Sequence, residues 1–580
     1  MLKRNEQLIK TKLLQYLLPS IMMTLALQVG NIVDTMLVGN ILGSDAMSAV
    51  QIGGTILLLI QIPGYMLGVG GSIATGILLG KRDREGASRL FSSTIAATII
   101  LGLVFMLMSL FSRRFALMLA GDNILTDNVT AVIQVMFIGA PLIGIALQIM
   151  NYMAVDNNPS LATWYVVLSN IINLISDYIL LKYTPLGVRG ATLSTLIGYT
   201  VALVVLIPYI RSPKRMLSLV NPFKNTGEVF KMALITGVPS MLSIVCEMIR
   251  NWVMNIIIIK SAGENAVAVY TICLNLVMIC ELFLGGIIGT MATIGGVVYG
   301  EKDYFGIKSL SKNIITYSYA MLALLMVLLL IFTKQAAAMF GIEDGALMDM
   351  STAALRIFIF CLPFYVCCRF LSTYYQTTEK TWLSNLIMIL DYCGALLPCA
   401  IAAVMLAKAL GFDSLNAVMA AFIVGEGIAV LVTVLVVKLK YRTNLLMLPE
   451  HNEETVLDIS VSPEISEAVK VPQAIIEFCK GKIDSVKATQ IAVAAEEMTV
   501  NIIKHGGKDV KSIDVMLSLS ENNIILRTRD SGIPFDPTDY TYDSTDFDFS
   551  GIEVIKKLTN KITYMRMLDF NNTTVEIDLL

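Results

Sequence analysis

Up to about residue 440 the chain repeats one pattern: apolar runs of roughly 20 residues cut by short polar loops. A helix of that length crosses the hydrocarbon core of a bilayer. The pattern predicts twelve transmembrane helices, near residues 14–39, 50–79, 92–112, 131–153, 162–181, 190–210, 233–259, 268–299, 314–333, 352–375, 383–407 and 415–437. After about residue 445 charges become regular and no run is long enough to span. Period-2 and helical spacing there predict a strand (455–460), helices (464–480 and 486–505), strands (511–519 and 523–530), a helix (551–559) and strands (561–567 and 573–579).

The membrane part is written twice. Pro19-Ser20 returns 220 residues later as Pro239-Ser240, Gly43 and Ala46 as Gly263 and Ala266. The string from Gly80 through Asp83 and Gly86 to Leu90 returns from Gly300 through Asp303 and Gly306 to Leu310. Duplicated bundles of this kind face each other about a shared cavity in transporters. The expected fold class is therefore an all-α polytopic membrane protein of twelve helices in two six-helix lobes, followed by an α+β domain. The expected boundaries are 1–211 and 232–444 for the lobes, 212–231 for a linker containing Pro213 and Pro222, and 450–580 for the appended domain. About 130 residues can bury a core of their own.

Composition changes this picture little. Of 580 residues 56% are hydrophobic and 15% charged; the net charge of −2 is uninformative about partners, and no nucleic-acid partner is expected. Nine cysteines and two histidines show no ligand spacing, so no structural metal is expected. Basic residues are more informative. Lys3, Arg4, Lys10 and Lys12 precede the first span; Lys81, Arg82, Arg84 and Arg89 follow the second; Lys438, Lys440 and Arg442 follow the twelfth. The positive-inside rule then puts both termini and the appended domain in the cytoplasm of a multi-pass plasma-membrane protein.

A charge at the bilayer centre costs roughly 2.5–3.5 kcal/mol, so each one calls for a reason. Asp34 in the first span and Asp177 in the fifth sit at similar depth, with Asn173 one turn before Asp177 on the same face. Two carboxyls and an amide in a damp pocket suit a proton or a sodium ion. The alternative is interfacial pairing of the acids with Lys182 or Arg189. At the 220-residue offset Asp34 corresponds to Met254, so the acid belongs to one lobe only, as a site would. The second lobe carries Glu247 and Arg250 one turn apart, Glu281 in the eighth span, Arg369 in the tenth and Asp391 in the eleventh. A neutralised pair, a cavity lining and coupling sites all fit this second set.

The string Val33-Asp34-Thr35-Met36-Leu37-Val38-Gly39, then Gly80-Lys81-Arg82-Asp83 and Asn173-x-x-x-Asp177-Tyr178, resembles the multidrug and toxin extrusion (MATE) transporters over residues 8–440. The resemblance implies cation-coupled antiport, in which a small organic solute leaves as H⁺ or Na⁺ enters, with coupling residues at Asp34, Asn173 and Asp177. In another branch of that family the acids lie in the seventh and tenth helices; Glu247 matches the first, but Arg369 stands in the tenth. Flippases of lipid-linked sugars share the architecture.

In the appended domain, Glu497 and Asn501 lie four apart on one helix face, and Asp530-Ser531-Gly532-Ile533-Pro534-Phe535-Asp536-Pro537 follows a strand. A carboxylate on that face can activate a nucleophile, an Asn can ligate Mg²⁺ beside phosphates, and a buried Asp can accept an adenine amino hydrogen beside a close-turning glycine. With Gly551-Ile552 these motifs resemble the histidine-kinase/Hsp90-like nucleotide-binding fold, above all the anti-sigma-factor serine kinases. The resemblance implies catalysis by Glu497, Mg²⁺ on Asn501, and ATP held by Asp530, Gly532 and Gly551. It also implies a cytosolic anti-sigma-antagonist-like protein as partner. The phosphate loop departs from the family, with Asp548-Phe549-Ser550 ahead of the single Gly551 and an acidic run before it. Two readings follow: an ion-coupled exporter with a regulatory ATP-binding domain, and a membrane receptor fused to a serine kinase.

Overall fold

The computed structural model describes residues 3–122, 125–340, 345–449, 455–520, 522–539 and 550–578. Two compact units emerge: Gln15–Lys302 with Leu310–Met447, and Met1–Leu14 with Asp303–Ser309 and Leu448–Leu580. The acids Asp543, Asp546 and Asp548 of the acidic run, with Phe549, lie outside the described residues.

Among the described residues twelve helices are long and apolar enough to cross a membrane. The first helix runs Gln7–Leu42, the second Ser44–Gly80, the fifth Pro159–Tyr183, the seventh Gly227–Ala262, the eighth Glu264–Gly300 and the ninth Tyr304–Ile331. The first begins before the apolar run because Lys10 and Lys12 continue its helical turns. Each six-helix set has its own core, one around Val132, Ile133 and Phe137, the other around Leu355, Met419 and Phe422.

The duplication is geometric as well as textual. Pro19 and Pro239 both sit inside helices, and Gly43 and Gly263 turn the chain with φ of 87° and 85°. Asp83 and Asp303 each cap the next helix through Oδ1, accepting from Gly86 N and Gly306 N at 2.7 Å. The second and eighth helices cross where both lack side chains. A Cβ on Gly80 would stand 2.2 Å from Val297 O and 2.8 Å from Gly300 Cα. A Cβ on Gly300 would stand 2.2 Å from Ile77 O. Gly70 meets Gly237 in the same manner, with 2.2 Å to its Cα.

Between the lobes the linker is held down. Asp156, in the turn after the fourth helix, accepts Tyr209 Oη–H at 2.7 Å, Met216 N–H at 2.7 Å and Leu217 N–H at 3.2 Å. Val220 N donates to Ser92 Oγ at 2.9 Å.

The second unit is built on an antiparallel sheet of order β1-β2-β3-β5-β4, with β1 Val456–Val461, β2 Ile513–Leu519, β3 Asn523–Asp530, β4 Lys561–Met567 and β5 Phe570–Asp578. Strand alternation separates its faces. Ile459, Val515, Leu517, Leu526 and Val575 bury one face against helices Lys470–Cys479 and Ser485–His505. The other face carries a polar row in register: Ser460 opposite Asp514, Asp514 opposite Arg529, Arg529 opposite Asn572. The N-terminal segment covers this row. Asn5 N donates to Ser460 Oγ at 3.0 Å, and Lys12 Nζ approaches Asp569 at 3.7 Å and the Phe570 ring at 5.1 Å. Arg4 reaches three carboxylates: Asp458 at 2.7 Å, Asp514 at 2.7 Å and Asp303 at 3.1 Å. Arg529 meets the same Asp303 oxygen at 2.7 Å.

Three carboxylates meet Arg4 and Arg529 in a buried site that Arg527 also lines. Burial opposes ionisation of Asp303, but Arg4 and Arg529 together outweigh it and hold its carboxyl below the usual range. Burial instead pushes Asp458 from 3.8 up to about 6, with Asp303 and Asp514 adding to the rise. A carboxyl raised on folding favours the folded state fully below its unfolded pKa, and this contribution is lost as pH rises through the folded value. Full-length protein in detergent should therefore melt about one to two degrees higher at pH 5.5 than at pH 7.5 through this group. Differential scanning of Asp458→Asn should show the dependence flattened; an identical slope in the variant would refute the assignment.

Candidate functional site

Three constellations stand out. In the first lobe the fifth helix presents Asn173 and Asp177 on one face, both buried. Asp34 of the first helix lies near enough to Asp177 for the two acids to act on each other electrostatically. Ser194 Oγ donates to Asp177 Oδ1 at 2.5 Å and is also 2.5 Å from Ala191 O. One hydroxyl proton cannot serve both, so Ser194 can turn to the carboxylate when it is charged and to the carbonyl when it is not. Asn173 Nδ2 donates to Ser194 Oγ at 3.1 Å and reaches Thr195 Oγ1 at 3.4 Å. Asp34 Oδ1 and Asp177 Oδ2 are buried with no hydrogen-bond partner. Two neighbouring buried carboxylates repel unless a proton or a cation neutralises them. Ser194 and Thr195 escaped the sequence reading because hydroxyls are ordinary in membrane helices.

Lys182 turns instead to Tyr178 Oη, at 2.7 Å. Small residues let the helices close around the acid pair. A Cβ on Gly30 would stand 2.1 Å from Asn170 Oδ1, and one on Gly198 2.5 Å from Ser169 O and 3.0 Å from Asn173 Cβ.

The second constellation surrounds a cavity of about 420 Å³ lined by both lobes, including Pro19, Tyr65, Asn151, Pro239, Glu247 and Glu281. Arg369 from the tenth helix stands over the rings of Tyr365 and Tyr392, 4.9 Å from each, and bonds Tyr392 Oη. Glu281 accepts from Tyr365 Oη and lies 3.7 Å from Arg369. Glu247 pairs with Arg250 at 3.4 Å. Arg250 and Asp391 do not line the cavity: Arg250 stands over the Tyr392 ring at 4.9 Å, and Asp391 is buried in a π-helical turn at Leu390–Gly394. Behind them Glu426 of the twelfth helix is buried, with Oε2 unpartnered. Its signal was the same one that exposed Asp34, an acid in an apolar run, but it was missed. Asp34 and Asp177 do not line this cavity either; Tyr199 lies within electrostatic reach of both Asp34 and the cavity residue Tyr65.

The third constellation is a pocket of about 220 Å³ in the second unit, lined by Asn501, Gly506, Asp530, Phe535, Asn571 and Thr573 among others. Asp530 Oδ1 accepts Gly532 N–H at 2.7 Å and Asn571 Nδ2–H at 2.9 Å, and burial raises its pKa. A Cβ on Gly532 would stand 2.7 Å from Gly506 O, so the turn under the pocket admits glycine alone without movement. A buried acid beside a side-chain-free turn fits the amino edge of a purine, and Asn501 is placed to meet a metal on a phosphate. Glu497 is not in the lining. Its Oε2 sits 2.0 Å from where a Cβ of Gly551 would be, against the first turn of helix Ser550–Leu558.

Twelve spans in two matching lobes with a shared central cavity define a membrane transporter. The MatE family model matches residues 19–179 and 239–401, two stretches that begin 220 residues apart, and the chain belongs to this family. Residues 463–577 match the histidine kinase-like ATPase domain. The multidrug export protein MepA of Staphylococcus saprophyticus is 25% identical over 352 residues, covering 60% of this chain and 76% of its own. A probable multidrug resistance protein, YoeA of Bacillus subtilis, is 21% identical over 341 residues, covering 57% and 73%. A solved outward-facing multidrug resistance MATE transporter superposes with a TM-score of 0.69 at 21% identity, over 76% of this chain and 99% of that one. A transporter of the MOP superfamily from Pyrococcus furiosus does so with 0.69 at 20%, over 76% and 99%. At these identities the structures show the fold.

Gly198→Ala should drive its methyl into Ser169 O and Asn173. Overpacking of this kind costs about 1–3 kcal/mol. A lowered melting temperature in detergent is expected, and an unchanged one would show that the fifth and sixth helices do not pack this tightly.

Proposed function

We propose that this protein exports amphipathic organic solutes in exchange for H⁺ or Na⁺ by alternating access, under the control of a cytosolic domain that binds ATP. The observation that carries the coupling reading is the neighbouring pair Asp34 and Asp177, with Asn173 and Ser194 bonded around it. The incoming proton or ion occupies the space between the two carboxyls and neutralises them. Its arrival lets Ser194 turn and the first helix shift, which is relayed through Tyr199 and Tyr65 to the cavity wall. The printed roles of the two curated relatives, multidrug export and multidrug resistance, support the solute class. So does the cavity, where aromatic rings alternate with Glu247 and Glu281. Glu281, Arg369 and Tyr365 serve there as solute contacts, with Arg250, Asp391 and Glu426 setting the charge behind them.

The twelve spans and the basic loops support a multi-pass protein of the plasma membrane with both termini in the cytoplasm. The lobes are assigned to 1–211 and 232–444, the linker to 212–231 and the nucleotide domain to 450–580. In that domain Asp530 and Gly532 receive adenine, and Asn501 receives Mg²⁺. Glu497, packed on Gly551 outside the pocket, favours ATP binding over transfer of phosphate to a partner protein.

Ethidium flux into inside-out vesicles, driven in turn by a proton and a sodium gradient, tests the first reading. Asp34→Asn and Asp177→Asn should each remove the gradient-driven component while the protein still folds; full retention would exclude the pair as coupling site. The second is tested by equilibrium dialysis of full-length protein with Mg²⁺-ATP. Asp530→Asn should weaken binding by at least about tenfold, since an acceptor aimed at a donor is replaced, and equal binding would remove the assignment.

A further inference from the structure

The ion cluster of the second unit joins three parts of the chain far apart in sequence. Arg4 lies three residues ahead of a helix that runs unbroken from Gln7 to Leu42 and forms the first span. Asp303 lies between the eighth helix, ending at Gly300, and the ninth, starting at Tyr304. Asp458, Asp514 and Arg529 belong to the sheet. All five side chains are at most 6% exposed. Removing one partner from such a cluster leaves a buried charge uncompensated, which makes it a strong and discrete contact.

The internal repeat shows what has been added. Asp83 and Asp303 occupy equivalent turns, after Arg82 and Lys302 with φ of 63° and 58°, and both use Oδ1 to cap a helix. Capping is the duplicated role. At Asp303 the other oxygen, Oδ2, takes Arg4 at 3.1 Å and Arg529 at 2.7 Å.

The same two strands hold the nucleotide pocket. Arg529 pairs across the sheet with Asn572, whose Oδ1 accepts from Arg529 Nε at 3.0 Å. One residue on, Asp530 pairs with Asn571, which donates to its Oδ1 at 2.9 Å. Adjacent residues of a strand point to opposite faces. One registered pair therefore lines the pocket, and the pair beside it grips Asp303.

We propose that this cluster is a nucleotide-sensitive clamp on the transport cycle, holding the end of the first span and the turn between the eighth and ninth to one rigid sheet. The proposal rests on the ATP-binding reading above. The first span belongs to one lobe and the eighth and ninth to the other, so a closed clamp ties both lobes to a common body and restrains their relative rotation. A purine amino group donating to Asp530 pulls on the carboxylate that Asn571 holds; through the adjacent Asp530–Asn571 and Arg529–Asn572 pairs this shifts β3 against β5 and loosens the hold on Asp303. Because the two events are linked, weakening the clamp must tighten nucleotide binding by the same factor.

The test uses the full chain in detergent with Mg²⁺-ATP. Hydrogen–deuterium exchange of peptides covering residues 3–12 and 303–312 should quicken when ATP is added. In Asp303→Asn, which keeps the capping oxygen, both peptides should exchange fast without ATP, and ATP should bind about fivefold tighter. Asp83→Asn, the same turn without the cluster, should match wild type in both measurements. If Asp303→Asn does not fold, Arg4→Lys, which keeps the charge and loses the fork, should move in the same direction. Wild type that binds no ATP would sink the nucleotide reading and the clamp's trigger with it. Wild type that binds ATP with no change in either peptide, and with equal affinity in the variant, would sink the clamp alone.

Discussion

The two lobes touch where each has given up its side chains. Gly80 and Gly300 are repeat partners, and each would strike the other's helix backbone if it carried a single methyl. In a membrane the solvent supplies no hydrophobic force between helices, so close van der Waals approach is what holds them. A seam made of such contacts is tight in one arrangement and worth little when the helices part by even a small distance. That makes it suited to two discrete states rather than a continuous slide. The cavity bounded by Pro19, Tyr65, Pro239 and Glu281 lies between the lobes that this seam joins.

Duplication copied the scaffold and left the chemistry unequal. The first lobe concentrates its ionisable groups into one neighbouring carboxyl pair, bonded to a serine and an asparagine. The second spreads Glu247, Glu281, Asp391 and Glu426 among two arginines and the rings of Tyr365 and Tyr392; Glu247 and Glu281 are paired, while Glu426 Oε2 is not. On the proposed function, the first lobe receives the cation and the second presents its charged, aromatic surface to the solute. The π-helical turn at Leu390–Gly394 belongs to that second task, since it swings Asp391 out of the regular helical register.

How much of this the sequence disclosed follows from how local each signal is. Spans are local: a run such as the one ending at Gly80 announces itself by length and polarity. Asp34 and Asp177 are legible because an acid in lipid is costly wherever it stands, and their common depth follows from counting turns. Glu426 obeys the same logic and is equally legible. Ser194 is different, since nothing distinguishes a serine that bonds an acid from one that bonds its own helix. The cluster of Arg4, Asp303, Asp458, Asp514 and Arg529 is the extreme case. Each residue alone reads as a solvated charge on a loop or strand, and only the fold brings them within 3.1 Å of one another. In the nucleotide domain the turn at Gly532 was visible as a motif, whereas the packing of Glu497 on Gly551 depends on the approach of a second helix.

The anchoring of the linker by Asp156 sets a mechanical limit. With Met216, Leu217 and Val220 fastened to the first lobe, only residues 221–226 remain slack before the seventh helix begins at Gly227. Six extended residues reach about 20 Å. The strap between the lobes is therefore short, and it caps how far the two halves can separate.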